Sequence, residues 1–199
     1  MTGAATRWRL IELQRRRRAI DTGIDLLDRK REGLLRALAL RAHAAAALRA
    51  RLAGALGAAH RVLDRAVVEI GEAPSQAATL AQPRAAAVTV ASDAVVGVRV
   101  NRLVARFESG PLQYGPGGTC ASLDEAVRAF SALLPDVVRL AEEEGAQRSL
   151  KLGLKRTTRT LNALRTVLLP DVGADIHAVA SGLEEEEREE AVRWRTGRS

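Results

Sequence analysis

Three histidines, His43, His60 and His177, a single cysteine, Cys120, and the carboxylate run "LEEEEREE" at 183–190 are the side chains with which this sequence could do chemistry. The histidines are scattered and lack the spacing by which ligands gather around a metal ion. Cys120 has no histidine near it in sequence to act as its base. "GPGGT", at 115–119, has glycines like those of a phosphate-binding loop but not the lysine such a loop needs. The carboxylate run offers paired acids, yet on an exposed helix nothing raises one pKa above the other, as acid–base catalysis requires. The sequence therefore points to no catalytic, cofactor-binding or metal-binding residue, and to a protein that is not an enzyme.

What remains is charge. The formal net charge is +7, which calls for an acidic partner surface: nucleic acid, anionic lipid or protein. "RRRR" at Arg15 to Arg18, with Arg7 and Arg9, could release counterions from phosphates. Four consecutive helical residues point in four directions, however, and so make no flat phosphate-reading stripe. Aromatic residues are only 3 % of the chain, too few to interleave with bases. The alternative for the arginines is a basic helix face meeting acidic protein loops or water. In "GLEEEEREEAVRWR", Glu184 precedes Arg188 by four residues and Glu189 precedes Arg193 by four, so the run reads as a solvated helix. Trp8 and Trp194 lie near opposite ends of the chain. If two helices pair antiparallel, they mark one contact tip or pack on each other.

The elements that must position these residues are long. From Leu10 a three-four spacing reaches Ala66 and Glu69 and is apolar at every station except Arg17, Arg31, Arg41 and Glu69. A seam sustained over that many heptads predicts a coiled coil. A helix over residues 6–70 would be ~100 Å long at ~1.5 Å per residue. After Leu52 a shifted track, Leu56, Ala59, Leu63, Ala66 and Ile70, is apolar throughout, as one four-residue stutter would produce. A second helix starts at "ASLDEAV", where Ser122 and Glu125 have capping-box spacing. Its stripe is Leu123, Val127, Phe130, Leu134 and Val137, with Pro135 expected to kink it or split off its first turns. The stripe resumes through Leu150, Leu154, Leu161, Leu164, Leu168, Val172, Ile176, Val179 and Leu183, passing Pro170.

Residues 71–121 read differently. "GEAPSQAATLAQPR" has two prolines and no stripe and is expected to be a loop or linker. Valines alternate at Val88 and Val90, then at Val96, Val98 and Val100, predicting a hairpin that turns at "SD" between the two runs. "SGPLQYGPGGT" reads as an irregular loop. The expected fold is all-α, dominated by a long antiparallel two-helix coiled coil, with a small β-hairpin-containing knob between the helices. Its parts are an N-terminal helix over 1–70, a linker and knob over 71–121, and a C-terminal helix over 122–199. The N-terminus reaches charge before any signal segment can form, no stretch is apolar enough to span a membrane, and one cysteine allows no internal disulfide. A soluble, cytoplasmic protein is expected.

The ends of the chain also carry a resemblance. "LNALRTVLLP", Leu161 to Pro170, resembles the "VNALE-x-V-x-IP" segment of the D subunit of V-type and archaeal-type (V/A) rotary ATPases. "GLEEEEREEAVRWR" is similar to the "LEE-x-ERE-E-x-x-RLK" stretch that follows it there. Gly23, Leu26, Leu27, Lys30, Arg31 and Glu32 match that family's "G-x-x-LL-x-x-KR-[DE]", with Leu13 ten residues ahead of the glycine. "VVGVRV" is similar to its "GV-x-V" piece. No single motif is specific; their order and spacing are. Arg165 departs from the family's usual glutamate, and Arg17 from a usually apolar position.

This resemblance implies a non-catalytic central rotor shaft, without a cofactor, that transmits torque between ATP hydrolysis or synthesis and ion translocation. Its partners would be the A and B subunits of the catalytic hexamer, the F subunit, and the C subunit, whose socket stands above the membrane ring. It would neither insert in the membrane nor bind nucleic acid, and would sit on the inner face of the cell membrane as part of the complex. Arg7, Arg9, Arg15, Arg16, Arg18, Arg188 and Arg193 would face the hexamer. Val96, Val98 and Val100 would meet the F subunit or the socket, and Pro170 would bend the shaft. The rival readings are a free-standing basic coiled coil that scaffolds proteins or binds nucleic acid, and an export-apparatus coiled coil serving a different ATPase.

Overall fold

The computed structural model describes residues 6–81, 86–107 and 119–196. Its helices are α1 (Arg7–Ile70), α2 (Glu72–Ala81), α3 (Ala121–Ala163) and α4 (Leu169–Thr196). One π-helical turn, Leu164–Leu168, joins α3 to α4. Strands β1 (Ala86–Val95) and β2 (Val98–Phe107) form an antiparallel hairpin. The fold is all-α, dominated by long helices that pair antiparallel, with one small hairpin. "SGPLQYGPGGT" lies outside the described residues except for Thr119. The chain divides into two compact units, one comprising residues up to Gly33 and from Gly153 onward, the other Leu34–Leu152.

In the first unit, Ile20 and Ile24 of α1 pack with Leu161 and Val172, and Leu164, Leu168, Leu169 and Ile176 close around them. Arg7 pairs with Glu187 and Asp28 with Arg165, so partner numbers fall as those of α1 rise. Every residue of the stripe from Leu154 to Leu183 is buried or half-buried. Arg17, by contrast, is exposed although it occupies a seam station. A lone guanidinium costs too much to desolvate, and the apolar contact passes from Leu13 to Ile20 without it.

The second unit has a thinner seam. Leu34, Ala45, Ala59 and Ala66 of α1 are buried, as are Leu123, Ala126, Ala146 and Leu150 of α3. Alanines let the two backbones approach closely but give little steric definition of register. Of the shifted track, Ala59, Leu63, Ala66 and Ile70 turn inward, whereas Leu56 is exposed. On α3, Val137 is likewise exposed and Val138 takes its place.

Four local expectations are corrected. Residues 72–81 form a helix, not a loop: Pro74 lies in its first turn, where a missing N–H is tolerated, and Ala78 packs on Ala66 and Leu123. α3 runs through Pro135 without its first turns splitting off. Ser131, whose carbonyl loses its donor there, is exposed and accessible to water. Ser122 lies inside α3 and donates its hydroxyl to Glu69 Oε1 at 2.8 Å, taking on a cross-helix role in place of a capping box. The hairpin turns at Val96-Gly97 and not at Ser92-Asp93, which sit in the ladder opposite Asn101 and Val100. Val96 (φ 51°) and Gly97 (φ 70°) both have positive φ, as a two-residue type I′ turn requires.

Candidate functional surface

The residues expected to face a partner divide between the two units. In the first, Arg7 donates to Glu187 Oε1 at 2.7 Å across the helices, and both remain well exposed. Arg9 is half-buried, with its backbone N–H on Thr6 Oγ1. Arg15, Arg16, Arg17 and Arg18 are all exposed and form a basic belt around α1. Arg188 pairs within α4 with Glu184 and Glu185, and Arg193 with Glu189. The "EEEEREE" run therefore neutralises Arg188 and Arg193 and stays net acidic, and the net positive field of this unit comes from α1.

Trp8 and Trp194 are 72 % and 76 % exposed, so they do not pack on each other. Nor are they level. With Arg7 opposite Glu187, Trp194 lies about two helical turns beyond the start of α1. Exposed indoles are costly to leave in water, and each offers a flat apolar face to a partner.

Pro170 is exposed and is separated from the π-turn by Leu169 alone. Leu169 N–H donates to Leu164 O, five residues back, in place of Arg165 O. Pro170 has no N–H for Thr166 O, and its ring would crowd that carbonyl in a regular helix. The wider turn gives the ring room, which ties the π-turn physically to the proline.

Several cross-helix contacts went unforeseen. Arg165, on the π-turn, is ion-paired with Asp28 of α1, and Arg31 reaches the other oxygen of Asp28 at 3.5 Å. In the second unit Arg41 donates to Glu143 at 2.8 Å while its carbonyl accepts from Gln147. Arg49 pairs with Glu144, and Arg51 with Asp136. Asp28 Oδ1, Arg31 Nε and Glu143 Oε2 are buried without a hydrogen-bond partner among the described residues. Arg31 and Arg41 are two of the seam exceptions. For Arg41 the matching signal on the other helix was "EEE" at 142–144, and for Arg31 it was Asp28 one turn back on its own helix.

The hairpin valines expected to meet a partner differ from one another. Val96 is exposed at the turn, Val98 is half-buried, and Val100 is only 3 % exposed. Val100 therefore anchors the hairpin and presents no free side chain. On β2, Leu103 N–H donates to Glu142 Oε2 at 2.8 Å, tying that strand's outer edge to α3.

The candidate chemical groups are held in structural roles. His60 sits edge-on to Phe130 with ring centroids 5.2 Å apart, and its Nδ1 is 2.8 Å from Leu56 O. His43 and His177 are exposed. Cys120 packs with Leu63, Ala66 and Leu123 beside Glu69. Desolvation and the Glu69 carboxylate push the thiol above its ordinary pKa, while hydrogen bonds from Cys120 and Ser122 hold Glu69 below its own. A thiol kept neutral in this way is a poor nucleophile. No group of three or more His, Cys, Asp or Glu residues among those described could hold a metal ion. No helix among them is long and apolar enough to cross a membrane.

Comparison with known proteins decides the family. The family model for the D subunit of ATP synthase matches residues 9–197. The chain belongs to the ATP synthase D-subunit family. Its relatives include the D subunit of the A-type ATP synthase of Methanopyrus kandleri, 33 % identical over 94 % of this chain and 82 % of that one. The D subunit of the V-type ATP synthase of Thermotoga neapolitana is 32 % identical, covering 97 % and 95 % of the two chains. That of Thermus thermophilus is 32 % identical over 94 % and 84 %. Membership in the D-subunit family makes this chain a component of an A/V-type ATP synthase, which fits the long paired helices and the hairpin between them.

Proposed function

We propose that this chain is the central rotor shaft of an A/V-type ATPase, a non-catalytic component that carries torque between the ATP-handling head and the membrane ring. The observation that carries this reading is the family match over residues 9–197, on a chain whose α1 alone runs unbroken for 64 residues. A shaft needs stiffness and a surface that slides without locking. Ion pairs across the seam resist slippage of one helix along the other. The exposed belt Arg15–Arg18 gives a diffuse attraction for acidic loops of the A and B subunits as the shaft turns. Arg7, Arg9, Arg188 and Arg193 add to this attraction, the last two less strongly because α4 carboxylates already balance them.

The exposed turn valine Val96, backed by Val98 and anchored by Val100, belongs to the end that engages the F subunit and the socket formed by the C subunit. Pro170 and its π-turn set a fixed bend that makes the shaft eccentric. The complex then holds the chain on the cytoplasmic face of the membrane without inserting it.

A tagged copy expressed in the native host and recovered near physiological salt tests the assignment. Recovery with three copies each of two large ATPase-type subunits and one small partner supports it. Recovery of nucleic acid or unrelated proteins without that hexamer overturns it in favour of a basic scaffold.

A further inference from the structure

We infer that the outer edge of β1 is a strand-addition site for an extended polypeptide that alternates acidic and apolar residues. The hairpin has only two strands, and its two outer edges differ. That of β2 is held against α3 through Leu103 and Glu142. That of β1 pairs with nothing among the described residues.

The register shows which groups are free. The two-residue turn makes Val95 and Val98 a hydrogen-bonded pair, and such pairs alternate along an antiparallel ladder. Residues 86, 88, 90, 92 and 94 of β1 thus point their N–H and C=O groups outward. The outward N–H of Leu103, opposite Val90, agrees with this phase. At the turn end Asp93 Oδ1 accepts from Ala94 N–H at 2.7 Å, which closes the edge there. Val88, Val90 and Ser92 remain available.

Natural edge strands are usually blunted by lysine, arginine or proline. β1, "AAVTVASDAV", contains none of them, and its one charge, Asp93, sits near the turn. An edge left this open suits pairing with another chain.

The two faces of the hairpin define the occupant. One face carries Val88, Val90, Leu103, Ala105 and Phe107, with Val90 65 % exposed. The other carries Arg102 and Arg106, both exposed and opposite Ala91 and Ala87, with Val104 between them and buried Val100 nearer the turn. Arg99 and Asn101 lie at the turn end of the valine face. Among the described residues no carboxylate pairs with Arg102 or Arg106. The alanine beside each leaves its long, flexible side chain free to reach over β1. A third strand beside β1 would place alternate residues beside the guanidinium groups and the others beside the valines. Acidic-apolar alternation satisfies both faces. Unpaired backbone groups require a polypeptide, and the hairpin's only aromatic residue is Phe107, so base stacking contributes little.

The test uses the full chain and a labelled ten-residue peptide alternating glutamate and valine, with a lysine-valine peptide as control. The Glu-Val peptide is expected to bind and the Lys-Val peptide not. Val90→Pro removes an outward N–H without touching the β1–β2 ladder, and should weaken binding about tenfold with helix content unchanged. Arg102→Glu with Arg106→Glu should reverse the preference between peptides. The same charge change at Arg156 and Arg159, exposed on α3, should leave it intact. The proposal is overturned if Val90→Pro binds as tightly as the parent, or if both charge changes weaken binding equally. It is also overturned if the edge is occupied by a second copy, seen as a dimer that Val90→Pro dissolves. Binding of single-stranded DNA that depends on Arg102 and Arg106 but not on Val90 would overturn it too.

Discussion

Asp28 on α1 and Arg165 on the π-turn form an ion pair across the two helices of the first unit, beside Arg31. The pair links the one irregular turn of the long C-terminal helical run to the regular helix opposite it. Arg165→Glu would set a second carboxylate against Asp28. Since Arg165 is about half exposed, the expected loss is about 1–2 kcal/mol. Asp28→Lys in the same chain should recover most of it. Chemical denaturation of the single and double variants measures both values.

Pro170→Ala restores an N–H for the carbonyl of Thr166 and removes the ring that the π-turn accommodates. The turn should revert to a regular helix, and on the rotor reading the shaft should lose the bend proposed for it. Hydrolysis by the assembled complex should then continue with weaker coupling to rotation. Unchanged hydrolysis-driven rotation in the variant would count against a mechanical role for Pro170.

Leu34 and Leu161 are fully buried in their respective units, whereas Leu40 is largely exposed. Leu34→Ala and Leu161→Ala should each cost about 2–5 kcal/mol. Leu40→Ala should stay within about 0.5 kcal/mol of the parent. Thermal unfolding of the three variants decides whether burial ranks them in this order.

Val96 is β-branched yet holds φ at 51°, a conformation that costs a non-glycine residue roughly 1–2 kcal/mol. Val96→Asn should relieve part of this, because asparagine tolerates the left-handed region and Asn-Gly favours the type I′ turn. Slower exchange of the ladder amides of Ala91 and Arg102, a hydrogen-bonded pair, is the expected signature. A faster exchange would show that the valine side chain contributes more than its backbone costs.

Cys120 and Glu69 give a pH-dependent readout. The fold favours the neutral thiol, so that preference is lost as pH rises through the ordinary thiol range toward the raised folded value. Glu69 runs the other way: its contribution is present above the ordinary carboxylate range and is lost as pH falls through its lowered value. Alkylation of Cys120 should begin at a higher pH than that of a free thiol. Glu69→Gln should shift that onset downward; an unmoved onset would mean that burial alone protects the thiol.

Much of this architecture could be read in the sequence, for reasons the residues make plain. Apolar periodicity marks any helix that buries one face, so the seam from Leu13 to Ala66 and the stripe from Leu150 to Leu183 were both legible. What escaped depends on residues whose role is set by a distant partner. Arg41 breaks the seam in sequence but meets Glu143 in space, and Arg165 meets Asp28 of the opposite helix. Ser122 has the spacing of a cap but donates to Glu69. Ser-Asp is a commoner turn pair than Val-Gly, which hides the true turn, and only the ladder register shows Val96 to be strained. Residues 72–81 hide their helix because Ala78 contributes too small an apolar signal to make a stripe.

The central claim is that this chain turns inside its complex, and single-molecule rotation tests it most directly. The ATPase head is fixed to a surface and a probe is attached to exposed Ala53 of α1 through an engineered cysteine, with Cys120 changed to serine. On addition of ATP, the rotor account predicts sustained rotation of the probe in one direction while hydrolysis proceeds. A probe that stays still while the same complexes hydrolyse ATP would contradict it.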